Sequence, residues 1–104
     1  MALREYGGGQ VELNDEGFLV QSGQWTPEVA EAIAAELGIA LTPAHWKVLT
    51  FCREDAATQG QAPGLRRITQ MAGVSTKELY QLFPKGPGKL AARISGLPKP
   101  QGCV

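Results

Sequence analysis

The stretch LRRITQMAGVSTKELYQLFP, residues 65–84, contains the strongest fold signal in the chain. Its first apolar residues recur at helical spacing and predict a helix with one apolar face: Leu65, Ile68 and Ala72. A tight turn is expected over residues 72–74. Ser75, followed three residues later by Glu78, has the pattern of a capping box, which predicts that a second helix starts here. The stretch therefore predicts a helix-turn-helix.

Two earlier helices are predicted from Thr-Pro pairs. Thr26-Pro27 and Thr42-Pro43 each put a capping hydroxyl before a proline at the first helical position. The first helix has apolar residues at helical spacing before it ends at Gly38: Val29, Ile33 and Leu37. The second presents one apolar face: Trp46, Leu49 and Cys52. Residues 55–63 are polar and contain glycine, and we expect them to form a loop or a frayed helix end.

Three short extended segments open the chain, at residues 3–6, 10–13 and 18–20. Glycines separate the first two, and an Asn-Asp-Glu-Gly segment separates the last two. Such residues supply the positive φ that tight turns need. A small β-meander is therefore predicted at the N-terminus.

A last short helix is predicted from Pro87 to Ser95, with Leu90 and Ile94 facing inward. Together with the earlier elements it gives an α+β fold, in which a small N-terminal β-meander packs on about five short helices that include the helix-turn-helix. We place the domain at residues 1–96 and a flexible C-terminal arm at residues 97–104.

The composition favours a single folded domain without bulk affinity for nucleic acid or membranes. The 104 residues are 43% hydrophobic and 19% charged, and the formal net charge is zero. No apolar run is long enough to span a membrane, and the first residues lack the apolar core of a secretion signal. We therefore expect a cytoplasmic protein.

Two cysteines, Cys52 and Cys103, and one histidine, His45, make up the whole thiol and imidazole inventory. No pair has metal-ligand spacing, so the sequence predicts neither a metal site nor a cofactor. Cys52 lies in an apolar helical stretch, which favours a small core residue. His45, just inside a helix start, is interpreted as structural rather than as a catalytic base.

The arm LPKPQGCV, residues 97–104, places the second cysteine one residue from the end of the chain. Pro98 and Pro100 favour extended polyproline II backbone, and Gly102 leaves the tip free to turn. Eight residues at about 3.1 Å each reach on the order of 25 Å, enough to enter a cleft in another protein. The sequence therefore predicts a mobile probe with the thiol of Cys103 at its end.

The helix-turn-helix suggests one function for the chain. The pattern AGVS followed by LY and F, within residues 72–83, resembles the DNA-reading unit of TetR-type repressors. The resemblance implies a DNA-binding transcriptional regulator as the alternative function, with three residues in the major groove: Thr76, Lys77 and Gln81. Its phosphate contacts would be basic residues: Arg66, Arg67 and Lys85. A net charge of zero disfavours this alternative, and two helices can pack in this way without DNA.

The arm suggests another function. The stretch LFPKGPGKLAARISGLPKPQGCV, residues 82–104, resembles the C-terminal signature of the DsrC/TusE family of sulfur-relay proteins. The resemblance continues in order through earlier segments: DEGFL at 15–19, Trp25, HW at 45–46, and Phe51, Arg53 and Glu54. It covers nearly the whole chain, and an ordered set of matches is more specific than a single motif.

Membership of this family implies a sulfur carrier whose persulfide forms on Cys103. The DsrC branch has a second arm cysteine at the position that Ala92 occupies here, so the resemblance implies the single-cysteine, TusE-like form. Such a protein is a substrate in a relay rather than a stand-alone enzyme. It would receive sulfur from a complex of the TusBCD or DsrEFH type. It would deliver sulfur to a tRNA thiouridylase, for 2-thiouridine synthesis, or to a sulfur-oxidation enzyme. The connection at residues 72–76 is shorter than is usual in the family, which leaves the identity of the partner open.

Charges near the arm bear on the thiol of Cys103. The carboxylate of Val104 opposes thiolate formation, whereas Lys99 favours it. Three further basic residues are candidate contacts for the thiolate or for a partner: Lys85, Lys89 and Arg93. The alternative interpretation of these residues, and of Arg53 and Glu54, is a solvated surface.

Overall fold

The structure, a computed structural model, describes residues 2–6 and 9–100. A β-hairpin and a short 3-10 helix are followed by five α-helices. The elements, in chain order, are β1 (Ala2–Tyr6), β2 (Gly9–Leu13), the 3-10 helix (Ser22–Gln24), α1 (Pro27–Glu36), α2 (Pro43–Gln59), α3 (Leu65–Ala72), α4 (Thr76–Leu82) and α5 (Pro87–Ile94). The predicted α+β fold with five helices, including the helix-turn-helix, is confirmed.

The N-terminal sheet has two strands rather than the three expected. β1 and β2 pair antiparallel, with Ala2 opposite Leu13 and Tyr6 opposite Gly9. The third predicted segment, residues 18–20, contributes only an isolated bridge between Leu13 and Leu19.

A side chain ends this third pairing early. The Asn14 Oδ1 accepts hydrogen bonds from the backbone N–H groups of Glu16 and Phe18, both at 3.0 Å. This local bonding closes the chain into a tight turn, which competes with a strand ladder. The meander prediction was therefore right about the reversal and wrong about the length of the last strand.

The helix starts lie where their sequences predict, but among the described residues only half of the capping box expected at Ser75 forms, because the Glu78 side chain makes no bond back to the Ser75 N–H. The Thr26 Oγ1 accepts a hydrogen bond from the Val29 N–H at 3.1 Å, and the Ser75 Oγ accepts one from the Glu78 N–H at 3.1 Å. At Thr42 the capping box is complete, because the side chain of His45 also accepts from the Thr42 N–H. Each cap satisfies an N–H group that the helix itself cannot.

Helix α2 is longer than the sequence suggested. The expected loop or frayed end at residues 55–63 is wrong for its first half, since the helix continues to Gln59. Asp55 is buried on this helix and accepts two hydrogen bonds from the Arg67 guanidinium, at 2.7 Å each. This bidentate pair ties the last turns of α2 to α3.

The core lies between the hairpin and the helices, and α5 is central to it. Helix α5 packs against α1, α2 and α4. The largest fully buried side chains come from the four helices α2 to α5 and from the segments just after β2 and α4: Phe18, Phe83, Leu49, Ile68, Leu79 and Ile94. Because α5 is held on several sides, the point where it ends is fixed relative to the whole domain.

Cys52 is a core residue, as predicted. Its side chain is buried on α2. Burial, together with the nearby charge of Asp55, raises the pKa of the Cys52 thiol to about 12. The thiol therefore stays protonated at neutral pH and is a poor nucleophile.

Candidate functional site at the root of the arm

The predicted arm begins at Leu97, the third residue after the end of α5. Ser95 is buried and its hydroxyl donates to the Ala91 carbonyl oxygen at 2.6 Å. Gly96 follows with φ +74°, the left-handed conformation that commonly ends a helix. The Leu97 N–H then donates back to the Ala92 carbonyl at 2.9 Å. The chain thus leaves the helix by one defined path.

Two side chains bind the last carbonyl groups of α5. The indole Nε1–H of Trp25 donates to the Ile94 carbonyl oxygen at 2.8 Å, and the Nη1 of Arg53 donates to the Ser95 carbonyl oxygen at 2.8 Å. The final carbonyls of a helix have no partner within the helix, so they need partners from elsewhere. Here the partners come from the segment before α1 and from α2.

Trp25 and Arg53 also contact each other. The Arg53 guanidinium lies over the Trp25 ring, 4.3 Å from its centroid, and its Nη2 donates to the Ser22 carbonyl at 3.4 Å. A β-carbon on Gly96 would come within 2.5 Å of the Trp25 ring. We call Trp25, Arg53, Ser95 and Gly96 the arm root. Burial lowers the pKa of the Arg53 guanidinium, although such a group stays cationic at neutral pH.

Arg53 corrects one expectation from the sequence. We interpreted it as part of a solvated surface, and that interpretation is wrong, because the side chain is half-buried and bonded to two carbonyls. Sequence reasoning also missed the role of Trp25. The available signal was that both residues fall among the segments that resemble the DsrC/TusE family, as do the last residues of α5.

The first four arm residues make contacts that the sequence did not predict. Leu97 is 5% exposed and packs in the core cluster, and Pro100 is also buried. Pro98 is exposed. The Lys99 Nζ donates to the Glu16 Oε2 at 2.9 Å. Two residues named as functional, Gly102 and Cys103, lie outside the described residues.

The three candidate basic residues lie in different settings. Lys85 and Lys89 are exposed, before α5 and in its first turn. Arg93 is half-buried and lies against Gly17, where a β-carbon would come within 2.6 Å of its Nη2. The Arg93 Nε is buried without a hydrogen-bond partner among the described residues. Because Gly17 adjoins Glu16, which binds Lys99, Arg93 is on the side of the domain that the arm follows.

A concave surface flanks the arm root. One cleft of about 230 Å³ is lined by small side chains near the end of α2 and by Leu97 and Pro98. A larger cleft of about 710 Å³ adjoins it through Gln61 and Ala62 and is lined by polar residues that include Arg66 and Gln70. The first residues of the arm, Leu97 and Pro98, therefore lie beside an open cleft.

Arg67, one of the residues predicted to contact DNA, forms an ion pair with Asp55 inside the domain. Arg67 is held by the bidentate pair with Asp55, which raises the pKa of the guanidinium. Arg66, Thr76, Lys77, Gln81 and Lys85 do remain exposed. The helix-turn-helix therefore has fewer free cations than its sequence suggested.

His45 is structural, as expected. Its Nδ1 accepts from the Thr42 N–H at 3.1 Å, and its Nε2 lies 2.9 Å from the Leu82 carbonyl oxygen. The ring also packs edge-on against Phe83, with centroids 5.2 Å apart. Both ring nitrogens are engaged, so His45 joins the start of α2 to the end of α4.

No group of three or more His, Cys, Asp or Glu side chains within residues 2–6 and 9–100 could hold a metal ion. In the same ranges no helix is long and apolar enough to cross a membrane.

Comparisons with known proteins agree on one family. The sequence model of the family described as DsrC like protein matches residues 5–104. The chain is 40% identical to the dissimilatory-type sulfite reductase subunit gamma of Nitratidesulfovibrio vulgaris, over the whole of both chains. It is 41% identical to the sulfurtransferase TusE of Escherichia coli, covering 93% of this chain and 95% of that one.

A solved structure extends the agreement to three dimensions. The crystal structure of dissimilatory sulfite reductase I (DsrI) matches with a TM-score of 0.88 and 38% identity, covering 99% of this chain and 100% of that chain. The sequence match and the structural match therefore point to the same family. The chain belongs to the family of DsrC-like proteins.

Proposed function

We propose that this protein is a sulfur carrier that accepts persulfide sulfur on Cys103 and passes it on within a sulfur relay. The observation that carries the proposal is the family match, which extends through residue 104 and so includes the arm and its penultimate cysteine. A relative of 41% identity is named as a sulfurtransferase, which supports transfer of sulfur over binding of DNA.

The chemistry needs only the thiol. The Cys103 thiolate attacks the outer sulfur of a donor persulfide, R–S–SH. The donor's sulfur–sulfur bond breaks, a new bond forms to Cys103, and the donor leaves as the thiolate R–S⁻. The proton stays on the transferred sulfur, so Cys103 ends as Cys–S–SH. Repetition of the same step with an acceptor thiolate releases the sulfur.

Cys52 is a poor candidate for this role. Its thiol is buried, and its raised pKa keeps it protonated at neutral pH, whereas the attacking species must be a thiolate. The proposed chemistry therefore rests on Cys103 alone, in the single-cysteine pattern that Ala92 implies. The arm proposed for it, residues 97–104 beyond a domain of 1–96, would carry the thiol into a partner.

Positive charge near the thiol would favour the thiolate. Arg93 supports such a role better than the two lysines, because it lies beside Gly17 and next to the Glu16 that binds Lys99. Lys85 and Lys89 are exposed and are proposed as partner contacts. The partners would be a donor complex of the TusBCD or DsrEFH type and an acceptor that is a tRNA thiouridylase or a sulfur-oxidation enzyme.

Mass spectrometry of the loaded protein tests the proposal. The protein is incubated with cysteine persulfide, and intact and fragment masses are recorded. We expect the mass of one sulfur atom to be added, located on the peptide that contains Cys103. The adduct should be absent in Cys103→Ser and present in the matched control Cys52→Ser.

A different result would favour the alternative function. The absence of an adduct, together with binding to duplex DNA that weakens with salt, would favour a DNA-binding regulator. That binding should then be lost in Arg66→Ala or Lys77→Ala, two exposed cations of the helix-turn-helix. Adduct formation without DNA binding would support the carrier.

A further inference from the structure

We infer that Trp25 and Arg53 are positioning residues, which fix the direction in which the C-terminal arm leaves the domain. The inference deepens the proposed function and rests on it, since direction matters only if the arm delivers a reactive group. Neither residue touches the thiol chemistry directly in this proposal. Both act through the backbone of Ile94, Ser95 and Gly96.

The hydrogen bonds hold the backbone at the point of departure. The Ile94 and Ser95 carbonyls are successive, and each accepts one bond of 2.8 Å, from Trp25 and from Arg53. Fixing two successive carbonyls fixes the planes of the two peptide groups that lead into Gly96. The direction of the chain after Gly96 is then set by side chains from distant segments.

The Trp25 ring packs directly against the turn at Gly96. It lies so close to Gly96 that a β-carbon there would be 2.5 Å from the ring. The ring is held in turn by the Arg53 guanidinium, 4.3 Å from its centroid. Rotation of the chain at Gly96 would have to displace both side chains.

The partners of Arg53 indicate what its charge stabilises. The guanidinium bonds to the carbonyl oxygens of Ser22 and Ser95, and it is half-buried in doing so. A surface ion pair with a carboxylate would have exposed Arg53 to water and left the backbone free. Two carbonyls joined by one planar, rigid group instead tie the segment before α1 to the end of α5.

The direction of the root matters because the arm is long. An arm that is released from its contacts at Leu97, Lys99 and Pro100 and is extended over eight residues would reach on the order of 25 Å. Turning such a chain by 30° at its root would move its end by about 13 Å, whereas a nucleophile must come within about 3.5 Å of its target. Fixing the root therefore reduces the volume that the thiol must search.

Distance measurement between two spin labels tests the inference without any partner. One nitroxide is attached to Cys103 and the other to a cysteine introduced by Thr50→Cys on the exposed surface of α2, while the buried Cys52 is left unlabelled. We expect the distance distribution to widen in Arg53→Gln and, to a smaller degree, in Trp25→Phe. Full release of residues 97–100 would add a spread on the order of 10 Å.

The variants separate positioning from folding. Trp25→Phe removes the Nε1–H bond to Ile94 and keeps a smaller aromatic ring against Gly96 and Arg53, so it tests the inference even where Arg53→Gln unfolds. Arg66→Gln is the matched control, because it removes an exposed arginine from α3, away from the arm root. Distributions that are unchanged in both arm-root variants, or changed equally in Arg66→Gln, would overturn the inference.

A chemical measurement distinguishes this inference from the proposed function. Sulfur uptake from cysteine persulfide, a donor too small to need a directed arm, should change by less than about twofold in Trp25→Phe. A tenfold loss, about 1.4 kcal/mol in the barrier, would assign Trp25 to the thiol chemistry itself and overturn positioning. If the wild-type protein takes up no sulfur, the carrier function fails, whereas the label distances still report on the arm root.

Discussion

Helices α3 and α5 end in the same local way and lead to different structures. Helix α3 is followed by Gly73 with φ +70°, and α5 is followed by Ser95 and then by Gly96 with φ +74°. A β-carbon on Gly73 would meet nothing within 4 Å, whereas one on Gly96 would meet the Trp25 ring at 2.5 Å. The backbone conformation is shared, and the surroundings are not.

The difference teaches that a glycine stop does not reveal which side chains pack against the turn that follows the helix. Beyond Gly73 the chain turns into α4 through the buried Val74, but no atom lies within 4 Å of the place where a β-carbon on Gly73 would be. At Gly96 the chain packs against the Trp25 ring, and the preceding Ser95 carbonyl is bonded to Arg53. Leu97, which follows, is buried. Local geometry gives the turn, and contacts from distant segments give the direction.

Alanine at the two glycines is the strongest test of this contrast. Gly96→Ala should lower the free energy of unfolding by about 3 kcal/mol, because it adds left-handed strain and pushes the Trp25 ring away. Gly73→Ala should cost about 1 kcal/mol, since only the backbone strain applies. Urea denaturation followed by circular dichroism measures both.

The two glycine variants control for each other, because the change and the backbone conformation are the same. Equal losses would contradict a special role for the surroundings of Gly96. Tryptophan fluorescence adds a local readout, since we expect the emission of Trp25 to shift in Gly96→Ala and not in Gly73→Ala.

Alkaline pH should weaken the contact between β1 and α1. The Tyr6 hydroxyl donates to the Glu36 Oε1 at 2.7 Å, and it lies within electrostatic range of Arg93 on α5. Burial, followed by the bond to Glu36, raises the pKa of Tyr6 to about 12. Because the folded pKa exceeds the unfolded value near 10, the stabilisation is complete below about pH 10 and is lost as the pH rises toward 12.

The measurement compares wild-type protein with Tyr6→Phe. Between about pH 8 and pH 11 the wild type should lose about 1 kcal/mol more unfolding free energy than Tyr6→Phe, allowing for a bond that is only partly buried. Cys52 contributes in the same pH range, but equally to both proteins, so the difference isolates Tyr6. Equal losses in the two proteins would contradict the role of the Tyr6–Glu36 bond.

The smallest effect is expected at the ion pair between Lys99 and Glu16. Both side chains are partly exposed, 37% and 53%, so the pair is screened by water and salt. Glu16→Gln should lower the melting temperature by less than about 2 °C, little more than the control Glu31→Gln on the surface of α1. A loss as large as that of Gly96→Ala would mean that the arm is held as firmly at Lys99 as at its root.

Local signals predicted most of the helices. Thr26, Thr42 and Ser75 cap three helices as expected, because a cap depends on residues within one turn of it. The inward faces also follow from local spacing, as at Leu90 and Ile94. Such features need no knowledge of the rest of the chain.

Contacts between distant residues could not be predicted from the sequence. The extension of α2 depends on Asp55 meeting Arg67, twelve positions later. The arm root depends on Trp25 reaching Ile94, 69 positions away. Several lysines and arginines in the sequence could have paired with Asp55 or with the carbonyls at the end of α5, and only the folded structure shows which side chains do. The site was therefore predicted as an arm with a thiol, without the residues that aim it.

The burial of Cys52 also limits the number of reactive thiols on each molecule of the protein. The sequence contains two cysteines, and Cys52 is unreactive because it is buried and its pKa is raised. Linking molecules into a disulfide polymer requires two reactive thiols on each molecule. With one reactive thiol on each molecule, a disulfide between two molecules uses both thiols. Oxidation can therefore join two copies of this protein and no more.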